Sequence, residues 1–165
     1  MPSTGDEIVA SDVTAISDLT VSRPIVRMVQ TVAQSIPDAT VTALTFTTED
    51  IDTHGFHDNS TNNPRITPNT AGYYDVRGTY FTATSTSPVS QDCHLRQNGS
   101  GQIAPAERGI SGTIAQSQST RALLAFNGTT DYVELMAFQD TSGAVNSNVA
   151  SRFSSTFECI FVRSL

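Results

Sequence analysis

An all-β fold, a β-sandwich or jelly roll, is predicted by three features of the sequence. About eight to ten short runs rich in Val, Ile, Thr, Tyr and Phe are set apart by Gly, Pro and Asn turn signals. Several of these runs alternate apolar and polar residues with a period of two. No heptad pattern and no internal repeat competes with that reading. At 165 residues the chain suits one domain with a short appendage. That length buries roughly two-thirds of the unfolded surface, so the fold does not depend on disulfides.

The first segment differs from the rest. Val13, Ile16 and Leu19 fall at steps of three, with Ser11 as an N-cap and Asp12 in the first turn. One or two helical turns of this kind are marginal alone and need a surface to dock on. Residues 1–24 are therefore expected to form an arm, and residues 25–165 the β domain. Pro24 separates the two.

The strands follow in order. Ile25 to Ala33 is β-branched and ends at Ile36-Pro37-Asp38, and Thr40 to Phe46 alternates cleanly. Thr48 to about Asn63 reads as a long polar loop, and a short strand is expected around Ile66. Gly72 opens the strongest strand, Tyr73 to Thr84. Cys93 to Gln97 runs into Asn98-Gly99, the best hairpin signal in the chain, and another strand precedes Ala104-Pro105. Thr120 to Phe126, the turn Asn127-Gly128, Asp131 to Gln139 and the aromatic run Phe153 to Val162 complete the series.

Composition excludes several functions. The net charge is −7, and all nine basic residues are arginines. Residues 1–60 hold nine acids against Arg23 and Arg27, while the remainder is balanced. No basic stripe for nucleic acid is present, and an anionic membrane surface is disfavoured. No apolar run approaches the roughly 20 residues of a membrane span. The opening residues show no basic and apolar signal-peptide pattern, so synthesis in a cytosol is expected. Cys93 and Cys159 match no metal spacing and read as reduced strand cysteines, with a cross-strand disulfide as the alternative.

Chemistry-bearing clusters are few. Asp50, Asp52 and Asp58, with His54 and His57, form the densest group of ligand-type side chains. Oxygen-rich loops suit Ca²⁺, and carboxylates mixed with imidazole suit a transition metal. The spacing matches no EF-hand, and the alternative is a plain solvated loop, so no cofactor is expected beyond Ca²⁺ as a candidate. No Gly-x-Ser-x-Gly elbow is present. Cys93 and His94 are adjacent on a strand, so their side chains point to opposite faces and cannot form a dyad. The chain is not expected to be an enzyme. Ser-, Thr- and Asn-rich loops leave a host cell-surface glycan as a candidate ligand.

Several strands are apolar on both faces. Phe153, Phe157, Cys159 and Phe161 are expected on one side of the last strand, with Ile160 and Val162 on the other. Leu123 with Leu124, and Tyr80 with Phe81, repeat the pattern. A monomeric sandwich strand should show one wet face, so one sheet is expected to be covered by another subunit. Core and subunit contact are assigned to Tyr74, Tyr80, Phe81, Leu123, Leu124, Phe126, Tyr132, Leu135, Phe157 and Phe161.

The runs Gly72-Tyr73-Tyr74-Asp75-Val76, Arg96-Gln97-Asn98-Gly99 and Leu123-Leu124-Ala125-Phe126-Asn127-Gly128, the Tyr132-Val133-Glu134-Leu135 strand and the closing aromatic strand together resemble the C1q/TNF-like domain. The resemblance covers roughly residues 30–165. It departs at Gly128-Thr129-Thr130-Asp131, where the family usually has Gly directly before Asp. The loop Phe46 to Asp58 and the opening Gly5 to Asp12 look like the version found in bacteriophage virion proteins. The resemblance implies a ten-stranded jelly roll, a tight homotrimer and a place on a virion surface. The function expected is a capsid decoration or head-fibre protein, anchored to major capsid or tail proteins through Val13, Ile16 and Leu19. A tail-fibre or tail-tip receptor-binding protein is the alternative, and a secreted carbohydrate-binding or cytokine-like module the second.

Overall fold

The computed structural model describes residues 23–83, 90–109, 115–150 and 153–165. Val13, Ile16 and Leu19, and with them the body of the expected arm, lie outside the described residues. Its last two residues already belong to the domain, since the Arg23 guanidinium donates to the Phe161 carbonyl and Pro24 accepts from the Phe161 amide at 2.9 Å.

Twelve strands are formed among the described residues. They are β1 (Ile25–Val29), β2 (Ser35–Ile36), β3 (Thr42–Ala43), β4 (Glu49–Asp52), β5 (Arg65–Ile66) and β6 (Gly72–Phe81). The second half contributes β7 (Ser90–Gln97), β8 (Ser100–Gly109), β9 (Ser117–Phe126), β10 (Val133–Gln139), β11 (Val145–Asn146) and β12 (Thr156–Arg163). The first sheet has five strands in the order β4-β1-β12-β6-β9. The second has the order β3-β10-β7-β8, with β5 continuing beside β3 along the same edge of β10. A pair of two-residue strands, β2 and β11, forms a third, minimal sheet. Ten strands thus build the sandwich, as expected from the sequence.

Two expectations need correction. The alternating run Thr40 to Phe46 yields only a two-residue strand, because the Gln34 side chain takes over as partner. Its carboxamide accepts from the Thr45 amide at 2.8 Å and donates to the Ala43 carbonyl at 2.9 Å. Conversely, the supposed polar loop contains β4, an edge strand pairing with β1. Charged residues on such an edge discourage pairing with other chains, which is why the segment reads as loop.

The core lies between the two large sheets. β6 alternates without a break, with Tyr74, Val76 and Tyr80 fully buried. Tyr74 meets Phe126, Phe161 and Phe56 edge-on at centroid distances of 5.4, 5.3 and 5.8 Å. Its hydroxyl donates to the Thr70 carbonyl at 2.8 Å. Gly78 gives the facing sheet its closest approach, since a Cβ there would stand 2.4 Å from Leu135 Cδ1. Cys93 and Cys159 are both free and buried, and burial pushes the Cys93 thiol up to about 12 and Cys159 upward as well.

The turn after β9 is built from side chains. Asn127 Oδ1 accepts from the amides of Thr129, Thr130 and Asp131 at 2.9, 3.0 and 3.2 Å. Asp131 returns a bond to the Asn127 amide at 2.8 Å. The two residues added relative to the family pattern therefore close a self-capped Asx turn. Gly128 sits at φ +74°, and a Cβ there would lie 2.5 Å from the Ala71 amide nitrogen. Gly128→Ala is expected to destabilise by about 2 kcal/mol and lower Tm by roughly 4–8 °C in a calorimetric scan. An unchanged Tm would show that the turn and residues 70–71 can separate freely.

Candidate functional site

The outward face of the first sheet is the candidate site. Strand register fixes its rows. Ile25, Ile160, Asp75 and Leu123 form one row across β1, β12, β6 and β9. Ile51, Arg27, Glu158, Arg77 and Arg121 form the next, starting from β4. Val29, Thr156, Thr79 and Ser119 form a third, in which the Thr79 and Ser119 hydroxyls meet at 3.0 Å.

Most charge on this face is paired internally, and Arg163 stands over the Tyr73 ring at 5.1 Å. Arg27 donates to Glu158 at 2.8 Å and also pairs with Asp50 on the edge strand. Asp75 accepts from Arg121 at 2.7 and 2.9 Å and from Arg77 Nε at 3.0 Å. Burial alone would raise the Asp75 pKa, but its bonds to Arg121 and Arg77 outweigh that and hold it below the ordinary carboxylate value. Arg27, Arg77 and Arg121 thus balance Asp50, Glu158 and Asp75. Around the charges stand exposed apolar side chains, Leu123 at 62%, Val162 at 43% and Ile51 at 41%. Asp75, Arg121, Leu123 and Val162 rim a shallow hollow of about 460 Å³.

The residues assigned to core and contact divide between the faces. Tyr74, Tyr80, Phe126, Leu135 and Phe157 are fully buried, and Leu124 and Phe161 nearly so. Leu123 faces outward. Phe81 is half-buried against Phe153, ring centroids 6.0 Å apart. Phe153 does not share the inner side of the last strand as expected, since β12 begins only at Thr156. Tyr132 lies on the other sheet's side, with the Arg65 guanidinium 3.9 Å above its ring.

The three candidate metal ligands are not brought together. Asp50 pairs with Arg27, while Asp52 accepts from the amides of His54 and His57 at 3.1 and 3.0 Å. Asp58 accepts from the amides of Ser60 and Thr61 at 2.8 and 3.0 Å, which holds its pKa at about 2. His57 is enclosed, bonded to Glu49 Oε1 at 2.8 Å and to the Asn63 carbonyl at 3.1 Å. These side chains shape the loop between β4 and β5. No group of three His, Cys, Asp or Glu gathers around a common point among the described residues. Sequence reasoning missed the Arg27–Glu158 and Asp75–Arg77–Arg121 pairs, whose partners are up to 131 positions apart. Only the in-strand spacing of Asp75 and Arg77 hinted at them.

No family model and no curated protein matches the chain. Solved structures do. The globular domain of zebrafish complement 1qA protein aligns at TM-score 0.62 and 12% identity, covering 87% of this chain and 99% of that one. Murine APRIL at pH 5.0 aligns at TM-score 0.64 and 8% identity, covering 85% and 99%. The pH 8.0 form of murine APRIL aligns at TM-score 0.62 and 10% identity over the same shares. The fold is a C1q/TNF-like jelly roll. At these identities the likeness concerns the fold alone. Within that jelly roll, the outward sheet face combines exposed aliphatic side chains with arginine–carboxylate ion pairs.

The acid response of the fold follows from two carboxylates, Asp75 on this face and Asp58 in the loop between β4 and β5. Asp75 and Asp58 both titrate lower in the folded chain than the roughly 3.9 of an unfolded aspartate. Their stabilisation is complete above about pH 4 and is lost as the pH falls through the folded values. Asp75→Asn is expected to cost about 1 kcal/mol at neutral pH in urea unfolding, with the difference shrinking below about pH 4. A difference that persists unchanged at low pH would show that packing, not charge, holds the position.

Proposed function

We propose that the chain is a non-catalytic jelly-roll module that assembles as a homotrimer through the outward face of the first sheet. The observation that supports this best is the company Leu123 keeps. It is 62% exposed beside Val162 on the rim of the hollow, and Ile160, Ile25 and Ile51 carry apolar side chains on across the sheet, next to ion pairs in which three arginines balance three carboxylates. Those pairs can be desolvated against a second copy without stranding their own charges, while Arg163 stays over the Tyr73 ring at one end of the sheet. The three-fold count comes from the C1q/TNF-like resemblance and fits closed cyclic assembly. The non-catalytic reading is supported by the histidines. His54, His57 and His94 are each hydrogen-bonded to a neighbouring side chain, and Cys93 faces the core while His94 faces the opposite side.

We place the trimer on a bacteriophage virion surface, as a capsid decoration or head-fibre protein docked by residues 1–24 on capsid or tail proteins. The support is the likeness of the Phe46–Asp58 loop and of the opening segment to phage virion proteins. The fold is equally compatible with a secreted carbohydrate-binding or cytokine-like module, and particle incorporation separates the two.

Light scattering of the full chain is expected to give a trimer mass at micromolar concentration. Leu123→Glu should shift it to monomer while changing protomer stability by no more than about 0.5 kcal/mol, because the side chain is exposed in the protomer. A Leu123→Glu trimer would place the interface elsewhere. Removal of residues 1–22 is expected to leave the trimer intact and abolish incorporation into particles. Truncated protein that still incorporates would refute the anchoring role.

A further inference from the structure

The side of the second sheet away from the core carries a groove of about 240 Å³ lined by Val41, Ser90, Asp92, Gln102 and Phe138. Its polar centre is constructed. Asp92 and Phe138 are register partners on β7 and β10, and Ser90, Asp92 and His94 follow one another at steps of two on one side of β7. His94 is only 2% exposed, although it lies on the side away from the core, and its Nδ1–H donates to Asp92 Oδ1 at 2.5 Å. The carboxylate is thus oriented by a buried imidazole behind it, and its second oxygen makes no hydrogen bond among the described residues. Above it stand two apolar walls, the half-buried Phe138 ring and Val41, which is 44% exposed.

We infer that this groove binds one pyranose unit of a surface glycan. A pyranose has an apolar C–H face and a rim of hydroxyls that both donate and accept. Phe138 and Val41 match the face. Asp92 supplies an acceptor and the Gln102 carboxamide both a donor and an acceptor. An alkylammonium ligand would call for acceptors alone, whereas Gln102 brings a donor to the groove and the Asp92 carboxylate is already directed at His94. The volume lies below the roughly 300–1,000 Å³ of sites for drug-sized ligands, so one ring is the natural occupant and single-site affinity is millimolar. Useful adhesion then rests on the trimer proposed above, since repeated sites raise avidity by about 10²–10⁴ without new contacts.

The test is a chemical-shift titration of the full chain with a panel of methyl pyranosides, with butylammonium as a separate arm. Saturable millimolar shifts at Phe138, Gln102 and Ser90 with at least one pyranoside are expected. Gln102→Ala, an exposed position that leaves the fold intact, should weaken binding about fivefold, and Phe138→Ala about tenfold. No shift up to the solubility limit, shifts confined to another surface, or a response to butylammonium instead of pyranosides would overturn the inference. Retention on a polymer bearing the same sugar should follow the trimer mass measured by light scattering on the same sample. A monomer that still shows the shifts leaves the groove standing and removes only the trimer, while a trimer without shifts does the reverse.

Discussion

Each residue of β6 must commit to one of two sides, and the rest of the molecule is arranged around that commitment. β6 lies between β12 and β9, so a shift of one residue would exchange both faces of the sheet at once. Inward go Tyr74, Val76, Gly78 and Tyr80, and outward go Tyr73, Asp75, Arg77 and Thr79. Tyr74 enforces the choice. Turning it outward would break three aromatic contacts and the Thr70 bond, and would bury Asp75 and Arg77 against Phe126 and Phe161. Desolvating those charges without partners costs several kcal/mol, far more than any local strand preference. Register is therefore set by side-chain chemistry at the middle of the sheet, and its neighbours inherit it.

The sandwich interior is uneven along the strands. The end near Gly72 and Phe126 is aromatic, with Phe56, Phe126 and Phe161 all gathered on the Tyr74 ring. The end near Thr82 and Ser155 is polar, with Gln30, Gln91, Gln116, Gln118 and Gln139 all buried. Some of these groups are well served. Gln139 donates to the carbonyls of Ile36 and Gly143 and accepts from the Thr141 amide. Others are not: the Tyr80 hydroxyl and the Gln118 carboxamide have no partner among the described residues. An unmet buried polar group costs about 1–3 kcal/mol, whereas each aromatic pair adds about 0.5–1.5 kcal/mol beyond its burial. Local opening should therefore begin at the polar end and leave the aromatic end closed longest.

Long alternating runs were legible in the sequence. The strands of β6, β9 and β12, and the Asn98-Gly99 hairpin, follow from period-two patterning and turn chemistry that need no distant partner. The two-faced apolar pattern also carried over, since Leu123 and Leu124 do point to opposite sides of the sheet. What failed to read were features decided at a distance. β3 is cut short by Gln34, eleven positions from Thr45, and β4 exists only because β1 offers it an edge. The acidic loop suggested metal because its carboxylates are close in sequence. In space each serves its own partner, Asp50 an arginine on β1 and Asp52 and Asp58 backbone amides within the loop. The same blindness hid the candidate sites, for Asp75 meets Arg121 and Asp92 meets Phe138 only once sheet register is known.

If the chain self-associates and binds as proposed, its two sheets divide that work. A contact between copies needs broad burial without unpaired charge, and the first sheet offers aliphatic side chains around ion pairs that neutralise each other before any partner arrives. A ligand site needs the opposite, a small region where one polar group is left available and held in place. The second sheet provides this by burying a histidine behind a carboxylate. Placing the functions on opposite sides of one core has a physical consequence. Leu135 packs onto Gly78, so the sheets are locked at fixed spacing, and assembly through one face would present the grooves of all copies outward in a fixed arrangement. Rigidity of the sandwich, more than any single contact, would then set how several weak sites meet a patterned surface together.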